Sequence, residues 1–240
     1  MFRRAHLILA SVAFLSACSN PPTEGTTNDA AGTAAPASAP AAGGNPAPGG
    51  SFAQPVNRIG RFDALEGEAV IIRGPQRIAV TAGYAALPGD QVETTANGKV
   101  QLTLTDHSVI AIGPNTKIVV SELLLENRTR SGRLSVLIGQ FWMHVTQWKA
   151  GESHWDIATP NAVAGVRGTT LWGSTEKDTI CSLDGTVEVT SIKAAGLPPA
   201  TLTAGNCATA LSQGKLEPLT PTKDQLKDYL GEVLIPSAPR

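Results

Sequence analysis

"KVQLTLTDHSVIAIGPNTKIVV", residues Lys99 to Val120, decides the fold. Its first seven residues alternate, with Val100, Leu102 and Leu104 on one face. A period of two is that of a half-buried strand. Asp106, His107 and Ser108 then supply a turn, and "VIAI" (Val109 to Ile112) is a second strand. "GPNT" makes the next turn, and "KIVV" (Lys117 to Val120) runs on as a third strand. Outward from this stretch the pattern recurs. "EAVIIR" and "RIAVT" precede it; "RLSVLI", "QFWMHVTQW", "TTLWGST", "TICSL" and "TVEVT" follow it. Asp184 and Gly185 separate the last two, and a D-G pair is a hairpin signal. Short strands between frequent turns predict an all-β fold of twisted sheets packed as a sandwich. No internal repeat is visible, which argues against a regular solenoid. Thr222 and Gln225 form a capping box, and Leu226, Leu230 and Val233 share one face. This predicts a short C-terminal helix covering an edge or end of the sheets; a frayed tail is the alternative.

The N-terminus has a different character. Arg3 and Arg4 precede "LILASVAFL", Leu7 to Leu15, an apolar run too short to span a bilayer and suited to a signal peptide. It ends in "LSAC", Leu15 to Cys18. This resembles the bacterial lipoprotein signal, in which small residues precede an acylated cysteine. The resemblance implies removal of residues 1–17 and acyl chains, palmitate included, on Cys18. Each buried CH₂ adds roughly 0.8 kcal/mol, so more than one chain anchors stably. Ser19 stands where Asp would imply retention at the inner membrane. The expected location is therefore the cell envelope, on the periplasmic side of the outer membrane if the host is Gram-negative. An ordinary secretory signal is the alternative.

Residues 19–55 carry only Glu24 and Asp29 as charges and Phe52 as a large apolar residue, among many Ala, Pro, Gly, Ser and Thr. Such a stretch cannot bury enough surface to offset its ordering entropy. It reads as a flexible tether with a reach of roughly 30–35 Å. The expected organisation is a signal at 1–17, a lipidated cysteine and disordered linker at 18–57, a β-domain at 58–215 and a C-terminal segment with a short helix at 216–240. Over 240 residues the net charge is −1, so no bulk charge draws the chain to nucleic acid or to anionic lipid.

The stretch Thr159 to Gly173, "TPNAVAGVRGTTLWG", sets Gly165 and Gly168 around Arg167. A phosphate loop needs four residues between its glycines and a lysine after the second. Here two residues intervene and Thr169 follows, so phosphate binding is excluded as the first reading. "ATPNAVAGVRGTTL" instead closely resembles the signature of FecR-like domains. "PGDQVETTANGKVQLTLTDHSVIAIGPNTKI", "LIGQFWMHV" and "LDGTVEV" resemble that family's other elements in order, over about residues 65–192. His107 stands where a turn glycine is usual, and Leu171 where an aromatic is frequent. FecR itself is a transmembrane regulator whose periplasmic part senses a receptor and whose cytoplasmic segment controls a sigma factor. This chain is expected to keep only the domain, so signalling would need a second protein to carry the message inward.

In the loop, Pro160 stiffens the entry, Ala162, Ala164 and Gly165 allow close approach, and Gly168 can take positive φ. Arg167, with five fixed donors, is expected to tie loop carbonyls or a carboxylate inside the fold; contact with a partner or glycan carboxylate is the alternative. Trp142, Trp148, Trp155 and Trp172 cluster in sequence and serve either the core or an exposed platform. Arg167, Trp155 and Trp172 are the candidate partner-binding residues. No H-E-x-x-H, paired-cysteine motif or G-x-S-x-G occurs. His154 and Asp156 share one face of an extended run; with His107 they are the basis for an alternative reading as a metal-dependent hydrolase. The first reading has no catalytic residue, metal or cofactor. It is a lipid-anchored envelope module that binds a protein or a cell-wall polymer, or serves as a scaffold or sensor; a passive structural lipoprotein is a third reading. With Cys18 acylated, Cys181 and Cys207 remain, an even number in an oxidising compartment, and are expected to pair.

Overall fold

Alternation becomes strands, and the strands form two sheets. The computed structural model describes residues 58–125, 129–147, 151–194 and 196–238. The chain visits the sheets in turn. β1 (Gly60–Glu66) lies in the first sheet, β2 (Ala69–Arg73) and β3 (Gln76–Ala79) in the second, β4 (Ala85–Ala86) in the first and β5 (Gln91–Thr94) in the second. β6 (Lys99–Leu104) and β7 (Val109–Ile112) form the expected hairpin in the first sheet. β8 (Lys117–Leu125) and β9 (Thr129–Ile138) pair in the second, and β10 (Gln140–His144) returns to the first. β11 (Glu152–Ala158) and β12 (Ala162–Val166) belong to the second, β13 (Thr170–Ser174) and β14 (Thr179–Asp184) to the first. β15 (Thr186–Ser191) and β16 (Ala200–Thr203) close the second sheet; β17 (Cys207–Thr209) and β18 (Glu217–Leu219) close the first.

The spatial order is β18-β17-β14-β13-β10-β7-β6-β1-β4 in one sheet and β16-β15-β12-β11-β9-β8-β5-β2-β3 in the other. Each sheet thus fills almost in chain order, as successive hairpins alternate between layers. Among the described residues every pairing is antiparallel except β9 with β11. Between those two strands the chain makes a single-strand excursion through β10, so β11 re-enters beside β9 running the same way.

The two inner faces enclose the core. Phe62, Ile71, Leu102, Ile110, Ile112, Ile118, Leu134, Phe141, Met143 and Ile157 are fully buried. Each such side chain contributes about 1.5–3 kcal/mol relative to exposure. The alternating residues Val100, Leu102 and Leu104 all face this core, as their period requires.

Asp184 and Gly185 do not make a hairpin. β14 pairs with β13 and β17, whereas β15 pairs with β12 and β16 in the other sheet. The dipeptide is a corner between layers. A D-G pair supplies positive φ, here 73° at Gly185, and does not say which strand the next one joins. A Cβ at Gly185 would stand 2.6 Å from Thr169 Cγ2, so the corner is also tight.

The helix α1 (Lys223–Val233) forms with both bonds of its capping box: Gln225 N donates to Thr222 Oγ1 and Thr222 N to Gln225 Oε1. The sequence predicts that it covers an edge or end of the sheets; it instead covers the outer face of the first sheet. Alternation turns Phe141, Met143, Leu171, Ile180 and Ala208 inward. Their neighbours Trp142, Trp172, Cys181 and Cys207 turn outward, where Tyr229, Leu230, Val233 and Leu234 cover them. Trp172 stacks on Tyr229 with ring centroids 4.5 Å apart. Cys181 and Cys207 stand directly opposite each other on β14 and β17 and are joined by a disulfide. The β-structure also passes residue 215, the expected domain limit, because β18 pairs with β17. All described residues belong to one compact unit, residues 51–240.

Candidate ligand surface at the Arg167 corner

Thr159 shapes the entry to the loop. Its hydroxyl accepts from Ala162 N at 3.0 Å, and its N–H donates to Ala162 O at 2.8 Å. That turn joins β11 to β12 within the second sheet. Along β12 the small residues Ala162 and Ala164, with Val166, face the core and are fully buried. Arg167 and Gly168 then carry the chain across to β13 in the first sheet. Gly168 has φ +64°, and a Cβ there would lie 2.7 Å from Gln147 Cβ and 2.9 Å from its Cα. Only glycine fits.

Arg167 corrects an expectation. It ties no carbonyl or carboxylate inside the fold: its side chain is exposed and makes no hydrogen bond or ion pair among the described residues. The corner directs it outward, beyond the reach of inward-facing groups. Two adjoining depressions flank it. One, of about 270 Å³, is lined by Gln147, Gly151, Glu152, Ser153, His154, Arg167 and Gly168. The other, of about 480 Å³, shares Gln147, His154, Arg167 and Gly168 and adds Gly165, Thr169, Gly185, Thr186 and Glu188. Ser153 Oγ and Thr169 Oγ1 are buried in this region without a hydrogen-bond partner among the described residues. The surface therefore combines a guanidinium unpaired among the described residues, an exposed amide and acidic residues at its rim, between glycines that leave the backbone accessible.

His154 and Asp156 do share a face of β11, but they engage each other. His154 Nε2 lies 2.8 Å from Asp156 Oδ1, and Arg133 Nη2 is 3.3 Å from Asp156 Oδ2. Among the described residues no three His, Cys, Asp or Glu side chains group as potential metal ligands. His107 occupies the β6–β7 turn with φ 67°, which explains why glycine suits that position. Its side chain is exposed. The carboxylate beside it, Asp106, is buried and accepts from Ser108 N and Ser108 Oγ at 2.9 Å and from Trp155 Nε1 at 3.4 Å.

Trp155 and Trp172 are not a platform. Both are fully buried. Trp155 packs across Gly132, its parallel partner, where a Cβ would come within 2.5 Å of the indole ring. Trp172 lies beneath α1. Strand alternation decides both cases, and it removes these two rings from any contact with a partner. Cys18 and Trp148 lie outside the described residues.

One strong polar feature went unread in the sequence. Asp90, 3% exposed, accepts from Arg73 Nε and Nη2 at 2.7 Å each and from Leu87 N at 2.8 Å. The Arg73 guanidinium is held charged by this hydrogen bonding, its pKa raised further above an already high value. Seventeen residues separate the partners, and only the pairing of β2 with β5 brings them together. The "PGD" turn was visible; its arginine was not.

Residues 90–190 match the family model described as FecR protein. The FecR match begins at the Arg73-bound Asp90 and takes in the Arg167 corner with both of its depressions. It covers less than half of the chain. Two crystal structures of a candidate anti-sigma factor from Parabacteroides distasonis ATCC 8503 are similar, with 14% identity and TM-scores of 0.47 and 0.46. The aligned part covers 58% of this chain and 64% and 63% of those chains, so under two thirds of either solved protein is spanned. No curated protein gives a match. Among the described residues no helix is long and apolar enough to cross a membrane.

Proposed function

We propose that this chain is a non-enzymatic, lipid-anchored envelope module whose FecR-like domain recognises a partner at the Arg167 corner. The observation that carries the reading is the exposed guanidinium of Arg167, without a hydrogen bond or ion pair among the described residues, within the FecR-matching region. A side chain with five fixed donors, held at a glycine corner and bonded to none of the described residues, is suited to a carboxylate on another molecule. That carboxylate belongs to an envelope protein or to a cell-wall polymer. Cys18 supplies the anchor in this reading, and the Ala- and Pro-rich stretch after it supplies the tether. A sensory role fits the family match, with a second protein relaying the signal inward. The hydrolase reading loses ground because Asp156 is paired with His154 and Arg133 instead of standing open as a ligand.

A photo-crosslinking residue at Gln147 or Glu188, both lining the depressions, tests this in intact envelopes. The expected adduct is formed with one dominant neighbour and is released by protease if protein, or by muramidase if wall polymer. Diffuse labelling, unchanged by Arg167→Ala, would remove the proposal. Acyl labelling of the Cys18→Ala variant tests the anchor separately: it is expected to vanish, and persistent labelling would overturn the localisation.

A further inference from the structure

A second surface lies on the outer face of the first sheet, independent of the Arg167 corner. Beside α1 runs a depression of about 630 Å³ lined by Glu66, Lys99, Lys223, Leu226, Lys227, Leu230, Gly231, Leu234 and Pro236. Its floor is apolar: Leu226, Leu230, Leu234 and Pro236. Its rim is cationic: Lys99, Lys223 and Lys227 against the single acid Glu66.

The helix sequence produces this. At 100° per residue, Lys223 and Lys227 fall on the same side as Leu226, Leu230 and Leu234. Asp224, Asp228 and Glu232 fall on the far side, and none of them lines the depression. Tyr229 and Val233 take the side against the sheet. The helix therefore sorts its charges by sign. Lys99 strengthens the arrangement from below: its Nζ donates to Gly231 O at 2.7 Å, at the carbonyl end of the helix, where a cation is favoured.

We infer that this groove docks an anionic lipid, with the leucines against its acyl or ester region and the lysines on its headgroup. Lysine is a compact, hydrated point charge on an apolar stem, suited to covering apolar groups while holding a phosphate. A peptide that adds as a further strand would need an unpaired strand edge. Here β6 is flanked by β1 and β7, and β1 by β6 and β4, so the sheet beneath the groove offers none. The inference does not rest on acylation of Cys18; it concerns which face of the domain meets the bilayer.

The test uses the full chain with phosphatidylcholine vesicles containing increasing phosphatidylglycerol, read by hydrogen exchange of the amides of residues 223–234. Protection of that segment is expected to rise with phosphatidylglycerol content. The Lys223→Gln/Lys227→Gln variant keeps good helix formers and should need about a thirtyfold higher total concentration of phosphatidylglycerol-containing vesicles for the same protection, roughly fivefold per lysine. Circular dichroism verifies that its helix is intact, and Leu226→Gln probes the apolar floor by the same readout. Absent protection, equal protection on pure phosphatidylcholine, or an unaffected double variant would overturn the inference; the first of these would point to a protein occupant.

Discussion

Asp90 shows how much one side chain holds. It is buried, bonded twice to Arg73 and once to Leu87 N. Replacing it with Ala strands a partly buried guanidinium and is expected to cost about 3 kcal/mol. Urea denaturation of Asp90→Ala checks this; a loss within 0.5 kcal/mol, the roughly neutral range for surface changes, would contradict it. Neither partner announced the pair, because a sequence shows residue types and not which strands lie side by side. The tryptophans teach the converse. For Trp155 and Trp172 the sequence left core and platform both open, and each sits at an alternating position that the sheets bury. Arg167 reads first as an inward tie, with a partner contact as the alternative; its exposure became legible only once the corner between layers was known.

At the scale of elements, strands and helix were legible where a local rule sufficed. The β6–β7 hairpin and the α1 capping box follow from alternation and from Thr222 with Gln225. The role of Asp184–Gly185 did not, because pairing partners are chosen by the whole sandwich. The Cys181–Cys207 disulfide joins β14 to β17 under the helix. Closing a loop of about 25 residues, it contributes about 3.5 kcal/mol in the chain-entropy model. Denaturation of the Cys181→Ser/Cys207→Ser variant should show a loss of that size, with no free thiol in the oxidised parent; two free thiols in the folded parent would refute the bond.

A pH effect belongs to the strands as well. Glu93 on β5 is held below its ordinary pKa of 4.5, first by a hydrogen bond from Lys117, with Gln91 and Arg77 adding to it against the cost of burial. A lowered folded pKa means that its contribution is complete above the unfolded value and is lost as pH falls through the folded one. The Glu93→Gln variant should therefore lose less stability than the parent between pH 7 and about pH 3, read as denaturant midpoints. Parallel losses would show that Glu93 adds nothing.

For the molecule as a whole, the sandwich follows from the alternating runs, and the winding does not. Each sheet fills nearly in chain order, with hairpins deposited alternately on the two layers. Most of the corners between layers fall at glycines, so a regular path exists without any repeat in the sequence. This path sets Arg167 at a corner between the layers, open to solvent, and lays α1 across the outer face of the first sheet. The account's central claim is that Arg167 serves a partner and not the fold. Its most direct test measures Arg167→Ala twice, for capture of the envelope neighbour and for thermal stability. The account predicts lost capture with a melting temperature shifted by no more than about 2–4 °C, as for a surface change under 1 kcal/mol in a domain of this size. Retained capture, or a collapse in stability, would contradict it.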